Sequence, residues 1–144
     1  MIENRHVTEI DRPVHQVWDT LTDLQRYPGW NPVIHRVTGR LEVGEQLQIF
    51  VGPTDRRWEV TVVRVDPGRE LAWTFHERSS HLFRGVHTFR LEPLVATRTR
   101  LVDHESFQGL LVPVRAAQLR RQIGGMESMG TALKQSVESG SATQ

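Results

Sequence analysis

Three side chains hold most of the chemistry this sequence can offer: His87, Asp103 and Glu105. Side chains alternate across a strand, so parity sorts them into two faces. Over residues 82–92, Phe83, Gly85, His87, Phe89 and Leu91 share one face, and Arg84, Thr88 and Arg90 the other. Over residues 97–107, Thr99, Leu101, Asp103, Glu105 and Phe107 fall together, against Arg98, Arg100, His104 and Ser106. The imidazole and both carboxylates therefore belong to the apolar face. An unpaired buried carboxylate is strongly destabilising, so such a group asks for a purpose. One purpose is general acid/base work. Burial raises the proton affinity of a Glu, and a carboxylate beside a His keeps the ring protonated or oriented. His87 and Glu105 would then be acid and base, with Asp103 orienting His87. Such a set promotes enolisation, aldol closure or dehydration of a polycarbonyl compound. The same residues also admit a polar anchor for a ligand, or a satisfied network that pins the sheet to a helix.

The hairpin joining the two strands sets their geometry. A connection over residues 94–96 pairs Pro93 with Thr97, which puts His87 opposite Asp103 and Gly85 opposite Glu105. Gly85 then leaves space beside Glu105. A five-residue connection shifts the pairing by two and puts Gly85 opposite Asp103. The shorter connection is favoured.

The elements that position these groups follow from periodicity. Residues 2–10 read as a strand, ended by Asp11-Arg12-Pro13. Val14, Val17, Trp18 and Leu21 have helical spacing, giving a short helix over 13–22, and a second over 24–27 is ended by Pro28-Gly29. Strands are expected over 33–40, 46–51, 57–65, 70–76, 82–92 and 97–107, separated by Gly44, Gly52-Pro53, Asp66-Pro67-Gly68, Ser79-Ser80 and the segment after Pro93. From Val112 the period changes. Val112, Ala116, Leu119, Ile123, Met126, Gly130, Leu133 and Val137 recur at steps of four and three, one apolar stripe on a long helix interrupted only by Gly124-Gly125. Strand, two short helices, six strands and a long helix make an α+β layout. One helix covers only part of a curved seven-stranded sheet, so the rest of the inner face is filled by side chains or left as a cavity.

The chain has 144 residues, enough for one domain, read as residues 1–138 with 139–144 as a flexible tail. There is no cysteine, which excludes disulfides, thiolate metal sites and a Cys nucleophile. Lys134 is the only lysine, so Schiff-base chemistry has one candidate. The net charge of +1 leaves no footprint for nucleic acid. No apolar run is long enough to cross a membrane, and MIENRHVTEI has no signal core, so no membrane partner and a cytoplasmic location are expected. His6, His15, His35, His76, His81 and His104 are scattered, and no H-x-x-x-H or H-x-H pair occurs. The single His/carboxylate group is the one above, and neither a metal nor another cofactor is expected. No phosphate-binding loop and no G-x-S-x-G is present.

Four stretches carry a family resemblance: V-W-D-T-L-T-D-L-Q-R-Y-P-G-W-N-P (17–32), G-V-H-T-F-R-L-E-P (85–93), T-R-L-V-D-H-E-S-F-Q-G-L-L-V-P (99–113) and A-L-K (132–134). With them the chain resembles the SRPBCC superfamily (START-like, birch-pollen-allergen-like), within it the polyketide cyclase/dehydrase group. The resemblance spans roughly residues 3 to 138. It implies the helix-grip fold, a seven-stranded curved antiparallel sheet wrapped around a long C-terminal helix, with two short helices after strand 1 and an apolar cavity. The group includes aromatase/cyclases and lipid or steroid carriers. The function implied is binding of a hydrophobic small molecule, with a cofactor-independent cyclase/dehydratase (lyase or isomerase type) or a non-catalytic carrier or sensor as readings, and a homodimer admitted. Relatives often carry an aromatic and an Asn where this chain has G-M-E-S-M-G; Met126 and Gly130 there suggest a roomier pocket.

Trp58, Trp73, Phe75, Phe83, Phe89 and Phe107 are candidates for the cavity wall, as are Leu119, Ile123 and Met126 from the helix stripe. Trp73 and Phe75 share parity with Leu71, whereas the Asp66-Pro67-Gly68 turn leaves two registers open for Trp58. Ordinary core packing is the competing role for each. Trp30 and Asn31 lie where the helix-grip cavity usually opens, as an entrance residue and an orienting group; a turn packing the short helices on the sheet is the other reading.

Overall fold

The computed structural model describes residues 1–77 and 81–140, without the side chains of residues 77, 122–126 and 140. Strand β1 spans Ile2–Ile10. Pro13 is extended, its φ already near the helical value, and precedes α1, Val14–Thr22. A 3-10 turn over Leu24–Arg26 leads into the single-turn α2, Tyr27–Trp30. Here Pro28 and Gly29 do not end a helix. Pro28 lies in the first turn of α2, where its missing N–H leaves no bond unmade. Six strands follow: β2 (Ile34–Thr38), β3 (Gln46–Val51), β4 (Arg56–Asp66), β5 (Glu70–Glu77), β6 (Phe83–Val95) and β7 (Arg98–Gln108). Helix α3 runs Val112–Gly140, so Ser139 and Gly140 are helical rather than part of a tail, and residues 141–144 of that expected tail lie outside the described residues. The Ser139 hydroxyl donates to the Gln135 carbonyl and holds this last turn. The break expected at Ser79-Ser80 also lies outside the described residues.

The strands form one antiparallel sheet in the order β1-β7-β6-β5-β4-β3-β2. The helix-grip arrangement places α3 against β1 and, to a smaller extent, β7, with further contacts to α1 and α2. Gly130 brings α3 close to β1. A Cβ there would sit 2.8 Å from Thr8 Oγ1, so Gly130 faces this contact and not the cavity, contrary to its expected role in enlarging the pocket. Met129, absent from the expected stripe, is 1% exposed beside Leu133 and Val137 in the main core. A smaller cluster of Phe83, Phe107, Val112 and Leu119 closes the other end, and Phe75 touches both. With α3 packed mainly on β1, the inner faces of β2 to β7 keep a hollow, met from the helix side by Leu119 of α3.

The β6–β7 register differs from both expected pairings. Pro93 faces Thr99, His87 faces Glu105, Phe89 faces Asp103 and Gly85 faces Phe107. The strands do not stop at Pro93. They continue to Val95 opposite Arg98 around an Ala96-Thr97 turn, with a bulge between Pro93 and Val95. Proline has no N–H to give to the ladder, and a bulge is where a strand tolerates it.

Candidate active site

The bulge moves β7 by two residues along β6 without changing which face any side chain occupies. His87, Asp103 and Glu105 therefore stay on the inner face, at 6%, 5% and 7% exposure. His87 now stands directly across from Glu105 and diagonal to Asp103, and it reaches both. Its Nε2 lies 2.6 Å from Asp103 Oδ1, and its Nδ1 3.3 Å from Glu105 Oε2. Phe89 stacks on the ring at 4.1 Å between centroids, and Trp73 meets its edge at 5.8 Å. The imidazole is thus held at both nitrogens and on one face.

The electrostatics follow from burial and pairing. Burial alone would push the His87 imidazole down. The Asp103 charge, the Glu105 charge and the Asp103 hydrogen bond outweigh it and hold His87 above the usual histidine range. For Glu105, burial pushes the carboxyl up. The His87 charge opposes this, Asp103 adds to it, and His6 opposes it again, leaving the group above the usual carboxylate range. Glu105 Oε1 is buried and has no hydrogen-bond partner among the described residues. Tyr27 is fully buried and donates its hydroxyl to the Leu21 carbonyl at 2.5 Å. Burial and then the Asp103 charge raise its proton affinity, which keeps it a neutral donor.

His87 and Glu105 line a cavity of about 80 Å³, well above the roughly 10–15 Å³ that admits one water. Asp103 is not in its wall and acts behind His87. Trp58, Trp73, Phe75, Phe83, Phe107 and Leu119 line it as well. Trp58 on Phe75 (4.5 Å), Phe75 on Phe83 (5.6 Å) and Phe83 on Phe107 (5.8 Å) form one continuous aromatic wall. Gly85 does not open space beside Glu105, because the Phe107 ring occupies it, 3.2 Å from where a Cβ would stand. Outside the wall, the Arg56 guanidinium lies 4.4 Å over Trp58 and that of Arg115 5.0 Å over Phe83.

Three candidates lie elsewhere. Phe89 does not line the cavity; it is 1% exposed, behind His87 and against Trp73 at 5.4 Å, because the two-residue shift puts it opposite Asp103. Asn31 is also outside the wall. Its Oδ1 accepts the N–H groups of Val33 and Ile34, both at 2.9 Å, and so shapes the start of β2. Trp30 packs edge-on against Tyr27 at 5.0 Å and is not in the wall. The side chains of Ile123 and Met126 lie outside the described residues. Ile34, Ile49, Val51 and Val60 do line the cavity and were not singled out. Their only signal was an alternation shared with every core strand. Among the described residues no group of three metal-ligating side chains is arranged to hold a metal ion. No helix among them is long and apolar enough to cross a membrane.

A curled seven-stranded antiparallel sheet gripping a C-terminal helix over an apolar cavity defines a START-like protein of the SRPBCC superfamily. The sequence matches the family described as polyketide cyclase/dehydrase and lipid transport over residues 1–138, and the chain belongs to that family. No curated protein matches it in sequence. Among solved structures, it is similar to a START superfamily protein from Mycobacterium smegmatis (20% identity, 95% of this chain and 97% of that one, TM-score 0.74). It is also similar to the Zhui aromatase/cyclase from Streptomyces sp. R1128 (19% identity, 95% and 93%, TM-score 0.75). A third is a point mutant of norcoclaurine synthase from Thalictrum in complex with a transition state analogue (13% identity, 97% and 96%, TM-score 0.75). At these identities the likeness is one of fold.

Proposed function

We propose that the protein binds a small hydrophobic carbonyl compound in this cavity and carries out cyclase- or dehydratase-type acid/base chemistry on it, without a cofactor. The observation that carries this reading is Glu105. One of its carboxylate oxygens is held by His87, itself held by Asp103; the other is buried without a partner among the described residues, on a residue that lines an apolar cavity. A carboxyl group pushed up by burial is a stronger base when ionised, and a carbon acid needs such a base. The base removes a proton α to the carbonyl; the C–H electron pair forms the enol double bond, and the carbonyl oxygen takes the charge. The same acid then returns a proton to carbon, or to a departing hydroxyl. Family membership and the aromatase/cyclase among the fold neighbours support this direction.

Acetophenone tests it, having an aromatic ring for the wall and an enolisable methyl group. The wild-type protein should exchange the methyl protons for deuterium in D₂O, and Glu105→Gln should slow this by ~10² or more. Acetophenone that binds but does not exchange would leave a carrier or sensor, which needs only the apolar wall. Equal exchange by both proteins would remove Glu105 from the chemistry.

A further inference from the structure

We propose that His6 on β1 is a relay that carries protons between Glu105 and solvent, an inference that rests on the acid/base reading above. His6 faces inward on the strand bordering β7, paired with Asp103, while its neighbour Asn4 is paired with Glu105. His6 and Glu105 are therefore diagonal neighbours on one face, about 7–8 Å apart at the backbone and within reach of long side chains. His6 Nε2 and Glu105 Oε1 are both buried with no hydrogen-bond partner among the described residues. The relay requires a rotamer change or one bridging water to join them. His6 is not in the cavity wall, so this route does not need the ligand's space. His6 as a residue is only half-buried, and β1 is the sheet's edge strand, so the solvent end of the relay lies on this side of the sheet. The opposite imidazole cannot serve, because both nitrogens of His87 face carboxylates. The charge of His6 also opposes the upward push on Glu105, as expected of a group at close quarters.

A route of this kind matters when a ligand fills the cavity. Glu105 that has taken a carbon-bound proton can then exchange it only from behind. Its acid proton passes to His6 Nε2, and Nδ1 releases one to water. His6 acts through Glu105 and does not touch the ligand.

Isomerisation of cyclohex-3-enone to cyclohex-2-enone in D₂O separates the two ideas. Glu105 takes the α-proton, the electrons form a dienolate, and Glu105 returns a proton to the γ-carbon as the carbonyl re-forms. With the relay working, the γ-carbon receives deuterium; without it, the original protium. His6→Gln should isomerise at nearly the wild-type rate. Its deuterium delivery should fall about tenfold, less than the ~10²–10⁴ of a directly reacting group because His6 acts at one remove. His6→Ala should behave alike and recover deuterium delivery when imidazole is added, which a merely structural role would not do. Unchanged isotope partitioning in both variants, with isomerisation intact, overturns the relay alone. Absence of isomerisation in the wild-type protein overturns the acid/base reading and the relay with it.

Discussion

Replacing Glu105 by Gln should stabilise the protein in alkaline solution and leave it unchanged in acid. The magnitude follows from the triad. At 3.3 Å, and at an effective dielectric of about 20, the Glu105–His87 attraction is about 5 kcal/mol. Against it stand a desolvation penalty of several kcal/mol for a carboxylate less than a tenth exposed and repulsion from Asp103 on the same face. The two sides nearly cancel, and the upward displacement of Glu105 shows that the penalty wins. A group whose proton affinity is raised by folding lends its stability below its unfolded pKa and loses it as pH rises through the folded one. Above that point the wild type carries a disfavoured charge that the Glu105→Gln variant lacks. The expected gain is on the order of 1 kcal/mol, some ~3 °C in Tm for a chain of this size. Thermal unfolding of both proteins between about pH 4 and pH 9 reads it. A variant less stable than the wild type in alkali, or an equal difference across the range, would refute the reasoning.

His87→Gln leaves Asp103 and Glu105 buried with no cation between them; it should cost about 3–5 kcal/mol near neutral pH and recover in part as acid protonates Glu105, seen as a Tm deficit that narrows in acid. In the wild type, the His87 contribution should be complete below the ordinary histidine range and fade as pH rises through its raised pKa, which NMR titration of the ring would locate above that of a free histidine. Gly130→Ala should destabilise by ~1 kcal/mol because the new Cβ meets Thr8 Oγ1; adding Thr8→Ala should recover the loss, since alanine is the better helix former, and failure of that rescue in denaturant melts would mean the close approach lies elsewhere. Leu119→Phe should fill part of the cavity and weaken acetophenone binding about tenfold or more in calorimetry, about 1.4 kcal/mol; unchanged affinity would place the ligand away from α3.

Most of the strand layout was legible because two-residue alternation is a local signal. The bounds of β1 and β3 follow from it, as does the inward direction of Phe83, His87, Asp103 and Glu105. Pairing was not legible, since it depends on where a hairpin turns. Pro93 read as a strand end, yet a bulge carried both strands past it and moved Glu105 opposite His87. Face survives a shift of two, so the triad assembled despite the misread register. Phe89 did not join the wall for the same reason. Asn31 illustrates another limit: an amide that orients a ligand and one that caps two backbone N–H groups are the same residue in a sequence.

The pairing of β1 with β7 has a consequence for how the molecule is made. Ile2 lies against Phe107 and Ile10 against Thr99, so β1, made before the other strands of this sheet, must wait for β7, the last of them. Until then its Ile2, Val7 and Ile10 have no sheet to join, and the sheet lacks the edge strand against which α3 packs. Contacts this distant along the chain slow folding, into the millisecond-to-second range for two-state domains dominated by them, and leave strand edges open meanwhile. This fold is then most exposed to aggregation just before α3 is complete.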